Sequence, residues 1–180
     1  MSVINEFLEF NKKFVAENKA EPYAHSVIPE KKLAILTCMD ARLVKLLPAA
    51  IGLKNGDAKV IKNAGAVITS PFGSVMRSLL IAVYKLGVEE IMVVGHYDCG
   101  VLGMCSDKIL PDMEKRGITK DKLDLCAAVA GTEWLKGFDK VEDSVADTVK
   151  IIRNHPLMPA EIKVHGFVIC PDTGRLDPVK

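Results

Sequence analysis

The feature of this sequence that most constrains its fold is an alternation of short apolar runs with longer segments of helical periodicity. Residues 33–38 and 90–94 are short, mostly apolar runs of strand length, and residues 162–169 are another candidate strand. A nearly all-apolar run such as residues 90–94 is typical of strands buried on both faces of a parallel sheet. Residues 74–86 place their apolar side chains on one helical stripe that ends at Gly87. The alternation predicts an α/β fold with a mostly parallel central sheet flanked by helices.

The remaining segments follow the same two periodicities. Residues 58–62 are a further candidate strand, and residues 106–117 are polar enough for a loop or an irregular helix. At the amino end, residues 2–19 carry apolar side chains at helical spacing and predict a helical arm. Other helices are expected at residues 43–51, 121–136 and 139–153. We therefore expect a single domain over residues 1–180.

Charge and composition exclude several classes of protein. The chain has 24 Lys and Arg against 23 Asp and Glu, so no basic excess exists to neutralise a nucleic-acid backbone. The longest uncharged stretches, such as residues 63–76, are shorter than the roughly 20 residues that span a bilayer, and the first residues do not resemble a signal peptide. Five cysteines are typical of free thiols in a reducing compartment. We expect a cytoplasmic protein that binds neither nucleic acid nor membranes.

Two of the predicted strands lead into residues of types that can bind metals. Cys38 follows the first apolar run, whereas His96 and Cys99 follow the run at residues 90–94. A pair such as His96 and Cys99 alone more often consists of ordinary core or hydrogen-bonded residues than of metal ligands, but functional groups collect where the strands of such sheets end. Two thiolates and one imidazole suit zinc and leave a fourth position open, as catalytic zinc sites do.

Asp40 and Arg42 lie beside this candidate metal site. Because Cys38, Asp40 and Arg42 are spaced by two, an extended chain would project all three to the same side. Arg42 can bind the Asp40 carboxylate through its planar guanidinium. On a surface such a pair contributes only ~0–1 kcal/mol. Beside zinc, Asp40 could fill the fourth position or, held away by Arg42, accept a hydrogen bond from zinc-bound hydroxide. Asp98 is expected to form a structural hydrogen bond, because chelation together with the adjacent Cys99 would be cramped.

The order of these motifs resembles the β-class carbonic anhydrases. The matching motifs are C-x-D-x-R at residues 38–42, N-A-G at residues 63–65, H-x-x-C-G at residues 96–100 and a closing strand and turn at residues 166–176. The resemblance covers about residues 31–177 in unbroken order, which is more specific than any single motif. The chain contains no glutamine, which places it nearer to the short, archaeal-like branch of the family.

The resemblance implies a zinc enzyme. It implies that Cys38, His96 and Cys99 bind zinc, and that Asp40 and Arg42 are catalytic, with Asp40 as a fourth ligand in a closed state. The implied reaction is the reversible hydration of carbon dioxide to bicarbonate by zinc-bound hydroxide. The implied substrate pocket consists of Asn63, Ala64, Gly65 and Gly100. Two alternatives remain open: hydrolysis of carbonyl sulfide or carbon disulfide on the same zinc site, and a non-catalytic zinc-binding homologue.

The resemblance also implies an assembly. The smallest working unit would be a homodimer, and two dimers could pair into a tetramer. Residues 1–30 would then form the helical arm that lies over the partner, and residues 31–177 would form the catalytic core.

Overall fold

A five-stranded sheet organises the protein, of which the computed structural model describes residues 2–179. The strands are β1 (Leu33–Cys38), β2 (Ala58–Asn63), β3 (Glu90–His96), β4 (Lys163–Ile169) and β5 (Leu176–Val179). The helices are α1 (Val3–Ala16), α2 (Leu43–Ala50), α3 (Ser74–Leu86), α4 (Ser106–Lys115), α5 (Lys120–Ala130) and α6 (Val141–Arg153).

The strands are arranged in the order β2-β1-β3-β4-β5. The first four are parallel, and β5 runs antiparallel to β4. Each parallel connection contains at least one helix. The chain must return to the end of the sheet where the strands begin before the next parallel strand can start, and a helix commonly spans that distance. The predicted α/β fold with a mostly parallel sheet is confirmed.

The core lies on both faces of the two central strands. Ile35 and Leu36 of β1 and Val93 and Val94 of β3 have no exposed surface. Helix α6 covers one face with an apolar stripe at helical spacing, which consists of Val141, Val145, Val149 and Ile152. Burial on both faces explains why these strands read as continuous apolar runs in the sequence.

Three segments differ from the sequence expectations. Helix α5 ends at Ala130 rather than near residue 136, because Gly131 has a positive φ of 67° and a short 3₁₀ turn follows at Glu133–Leu135. Strand β3 continues to His96, through a glycine that the sequence pattern treats as a strand end. Strand β5 is only four residues long and contains Pro178, so it gives too weak a pattern to be predicted.

Helix α1 is well formed but little packed. Its first turn is capped by Ser2, whose hydroxyl accepts a hydrogen bond from the Asn5 amide at 3.3 Å. No residue between Val3 and Ala16 is buried, and Phe7 and Phe10 are 62% and 70% exposed. Apart from Phe14, whose ring centroid lies 6.3 Å from that of Tyr23, the apolar face of the helix is largely uncovered within the described chain. No helix in residues 2–179 combines the length and apolar character needed to cross a bilayer.

The close approach of α6 to β3 predicts that Gly95→Ala destabilises the fold. A Cβ at position 95 would lie 2.7 Å from Cγ2 of both Val141 and Val145, so the helix must shift. We expect a loss of about 1–3 kcal/mol in the free energy of unfolding, measured by urea denaturation. Gly100→Ala is the control, because nothing lies within 4 Å of its added Cβ. Equal stability of the two variants would contradict this account of the packing.

Candidate metal centre

Two neighbouring strands place the three candidate ligands together. Strands β1 and β3 are parallel and pair Thr37 with Val94, so both carry their carboxyl ends to the same edge of the sheet. Cys38 is the last residue of β1, His96 is the last residue of β3, and Cys99 follows in the next loop. One donor atom from each lies within 4.8 Å of the others, and all three residues are buried.

The geometry of these atoms fits a tetrahedral ion. The two Sγ atoms are 3.9 Å apart, which is close to the separation of about 3.8 Å that two Zn–S bonds of about 2.3 Å require at a tetrahedral angle. His96 Nδ1 lies 2.8 Å from the carbonyl oxygen of Tyr97, so this nitrogen carries the proton and donates it. Nε2 is then the deprotonated nitrogen that a metal binds.

The ring nitrogen of His96 in the cluster with the two cysteine sulfurs lacks a hydrogen-bond partner in residues 2–179. His96 Nε2 is buried and has no hydrogen-bond partner among the described residues. A buried polar atom without a partner costs about 1–3 kcal/mol, and in native structures such an atom is rare unless an ion or water satisfies it. A cation between Nε2 and the two sulfurs would satisfy it. The residues present therefore fit zinc.

The two thiols differ in acidity because their surroundings differ. Burial raises the pKa of Cys38, but the nearby His96 imidazole and the Gly65 amide, which donates to its Sγ at 3.4 Å, outweigh burial and lower that pKa below its usual value. Burial raises the pKa of Cys99, and the neighbouring Cys38 sulfur raises it further. A bound cation would favour the thiolate form of both.

The Asn63-Ala64-Gly65 segment supports Cys38 from the neighbouring strand. The Asn63 side chain closes a turn over residues 64–66: its Nδ2 donates to the Val67 carbonyl at 2.6 Å, and its Oδ1 accepts from the Val67 amide at 3.2 Å. Gly65 has a φ of 84°, a conformation that glycine adopts without strain and that directs its N–H at Cys38. Asn63 and Gly65 therefore shape the site.

The other two predicted pocket residues make fewer contacts. Ala64 is exposed within the same turn, and Gly100 is exposed with nothing within 4 Å of an added Cβ. Their contact with a substrate stays a prediction.

Asp40 and Arg42 form the predicted ion pair by a different backbone path. The chain is not extended through Arg42, which has helical angles (φ −61°, ψ −32°) and immediately precedes α2. Its side chain folds back, so that Nε donates to Asp40 Oδ1 at 3.1 Å and Nη2 donates to Oδ2 at 2.9 Å. Hydrogen bonds from Arg42 lower the pKa of Asp40 to about 2. Asp40 is therefore a carboxylate at neutral pH, and its Oδ2 lies 3.8 Å from His96 Nε2.

Arg42 also donates hydrogen bonds to Asp98, so Asp98 takes part in a structural hydrogen bond of the kind expected from the sequence. Its Nη1 donates to Asp98 Oδ2 at 3.0 Å, and its Nη2 donates to the Asp98 carbonyl at 2.9 Å. The sequence gives no sign that Arg42 is the donor, because these residues lie 56 positions apart.

Sequence reasoning missed the apolar residues beside the sulfurs. Val101 and Phe138 pack against the buried cluster that includes Cys38 and Cys99. A Cβ at Gly65 would lie 2.8 Å from Val101 and 3.1 Å from Phe138. Phe138 lies in an irregular segment just before α6, where no periodicity or motif could have pointed to it.

Comparisons with known proteins agree with this fold. Residues 33–176 match the carbonic anhydrase family model. The chain is 51% identical to "Putative carbonic anhydrase YvdA" of Bacillus subtilis, over 99% of this chain and 92% of that protein. The crystal structure of β-carbonic anhydrase isoform I from Trichomonas vaginalis superposes with a TM-score of 0.90 at 34% identity, covering 99% of this chain and 98% of that chain. The carbon disulfide hydrolase of Acidithiobacillus thiooxidans is 32% identical over 82% of this chain and 77% of that enzyme.

The chain belongs to the β-carbonic anhydrase family. The family supports a carbonic anhydrase-type enzyme, and the Cys38-His96-Cys99 cluster is able to hold a metal ion. At 32–34% sequence identity, the relatives include both a β-carbonic anhydrase and a carbon disulfide hydrolase.

The geometry predicts that Cys38→Ser and Cys99→Ser each abolish tight zinc binding. Each change removes one of three buried donors, and a neutral hydroxyl is a poor replacement for a thiolate on zinc. Zinc per chain, measured by mass spectrometry after dialysis against a weak chelator, should fall from about one to near zero. Cys126→Ser is the control, because Cys126 is exposed on α5. Full zinc content in either ligand variant would contradict the assignment.

Proposed function

We propose that this protein is a carbonic anhydrase that uses zinc to hydrate carbon dioxide reversibly to bicarbonate. The observation that carries the proposal is His96 Nε2, which is buried beside two sulfurs without a hydrogen-bond partner in residues 2–179 and lies 3.8 Å from a carboxylate that Arg42 holds. The relatives named as carbonic anhydrases support the choice of reaction.

Cys38, His96 and Cys99 would hold the ion. Zinc supplies a strong nucleophile at neutral pH by lowering the pKa of a bound water. The apolar side chains of Val101 and Phe138 pack beside the sulfurs and suit a small substrate without charge.

Asp40 would orient the nucleophile. Its Oδ1 accepts two hydrogen bonds from Arg42, from the backbone N–H and from Nε, whereas its Oδ2 accepts one. Oδ2 therefore keeps a free lone pair near His96 Nε2, and the low pKa of Asp40 keeps it ionised. A carboxylate in this state would accept a hydrogen bond from the O–H of the nucleophile and so direct a lone pair of that oxygen toward carbon dioxide. Arg42 prevents Asp40 from turning away.

Asp40→Asn and Arg42→Ala should keep zinc but lose most turnover. Neither residue supplies one of the three buried donor atoms, whereas an amide or an unheld carboxylate cannot orient the nucleophile. We expect kcat for carbon dioxide hydration to fall by about 100-fold or more, measured by stopped-flow with a pH indicator. Glu89→Gln is the control, because Glu89 is exposed, pairs with Lys32 and adjoins the opposite end of β3. Wild-type turnover in either variant would refute these roles.

Hydrolysis of carbon disulfide is the second candidate, supported by the similarity to the Acidithiobacillus thiooxidans enzyme. The purified zinc-loaded protein should be assayed in parallel for carbon dioxide hydration and for hydrogen sulfide release from carbon disulfide and carbonyl sulfide. We expect rapid hydration and little sulfide. Sulfide release without hydration would replace the first proposal with the second, and inactivity in all assays would favour a non-catalytic homologue.

We further propose that the protein is a homodimer in which the arm, residues 1–30, lies over the partner's catalytic core, residues 31–177. The uncovered apolar face of α1 supports this arrangement, because Phe7, Phe10 and their neighbours are exposed in the single chain.

Polar substitutions on this face should weaken the dimer. The double variant Phe7→Ser/Phe10→Ser removes two large apolar side chains, so sedimentation should show a shift toward monomer at micromolar concentration. Lys12→Ser is a control on the same helix, since Lys12 is exposed and forms a surface ion pair with Glu9. A wild-type protein that sediments as a monomer, or an unshifted double variant, would contradict the proposal.

The cysteines support a reducing, cytoplasmic location. All five lie within residues 2–179, and each is free. Thiols that must bind zinc are kept available in such a compartment.

A further inference from the structure

One guanidinium connects two carboxylates at this site. Arg42 donates to Asp40 through its backbone N–H, Nε and Nη2. It donates to Asp98 through Nη1, at 3.0 Å from Oδ2, and through Nη2, at 2.9 Å from the backbone carbonyl. Asp40 and Asp98 therefore fix the guanidinium from both sides.

Asp40 depends entirely on this guanidinium and on the Arg42 backbone for its orientation. Among residues 2–179, all hydrogen bonds to its carboxylate come from Arg42. Its Oδ2 is 3.8 Å from His96 Nε2, so a carboxylate released by Arg42 has the metal position within reach. The Arg42 side chain is long and 42% exposed. With Asp40 as its one carboxylate partner, its guanidinium would keep access to many other conformations.

Asp98 adopts an uncommon backbone conformation that provides its second contact. Its φ is 54°, in the left-handed region that aspartate tolerates better than most residues. This turn directs the carbonyl of Asp98, as well as its side chain, toward Arg42.

We propose that Asp98 is a positioning residue that keeps Arg42 on Asp40 and so keeps Asp40 off the fourth position of the metal. The role rests on the proposed function, because it concerns the same zinc site. In this role Asp98 shifts the equilibrium between two states of the site. In the open state Asp40 can orient a nucleophile, and in the closed state Asp40 itself occupies the fourth position.

The exposure of Asp98 sets the size of the effect. Its side chain is 87% exposed, and ion pairs at exposed positions change an equilibrium by up to a factor of about five. Asp98 therefore tunes the population of the open site and is not essential for it.

Three substitutions separate the side chain of Asp98 from its backbone conformation. Asp98→Asn keeps an oxygen acceptor and tolerates the positive φ, so it should retain more than half of wild-type kcat. Asp98→Gly also tolerates the positive φ but removes the side chain, so kcat should fall about three- to fivefold. Asp98→Ala removes the side chain and disfavours the conformation, so it should lose more than the glycine variant.

The visible absorption of the cobalt-substituted protein gives a readout that is independent of turnover. This spectrum reports which group occupies the fourth position. Arg42→Ala is the reference for an unheld Asp40. The spectrum of Asp98→Gly should shift toward that of Arg42→Ala, whereas Asp98→Asn and the control Glu89→Gln should match wild type. Cobalt content should equal one per chain in every variant.

The outcomes distinguish this role from the proposed function. If Asp98→Gly matches wild type in both kcat and spectrum, Asp98 acts only through its backbone or not at all, and the positioning role is overturned. If wild type does not hydrate carbon dioxide, the proposed function fails, and the cobalt spectra alone decide the role of Asp98. A shifted spectrum for Asp98→Gly that Asp98→Asn restores would support the role in either case.

Discussion

The parallel pairing of β1 with β3 is the constraint on which the whole site depends. Its register places Thr37 opposite Val94, which fixes how far each strand extends beyond the last shared pair. Cys38 follows at once, and His96 follows after Gly95. A slip of one residue would turn the Cys38 side chain to the other face of the sheet. The buried apolar residues of both strands oppose such a slip, so the hydrophobic core sets the geometry of the metal centre.

Sequence reasoning predicted the parts of the molecule that depend on local pattern. The strands β1 and β3 were visible because burial on both faces requires apolar side chains throughout, and α3 was visible because Gly87 ends a clear helical stripe. Parallel strand direction predicted that Cys38 and His96 lie at the same end of the sheet, and the pairing of β1 with β3 brings them together. Their roles as zinc ligands stay a prediction, because proximity does not identify the ion.

Long-range contacts between irregular segments could not be predicted in the same way. Asp98 contacts Arg42, and Phe138 packs against the same buried cluster as Val101, across large separations in sequence and in segments without periodicity. The backbone conformation between Cys38 and Arg42 also differs from the expectation. Spacing by two suggested an extended chain, but Arg42 already has helical angles because α2 begins at the next residue. The ion pair forms because the arginine side chain is long enough to fold back.

The orientation of His96 has a consequence for how the site tolerates genetic change. The group that fixes its ring is the main-chain carbonyl of Tyr97, where many metal-binding histidines rely on a carboxylate side chain. Every amino acid contributes that carbonyl, so no replacement at position 97 can delete it. Mutational drift can therefore alter position 97 without removing the acceptor that selects the tautomer.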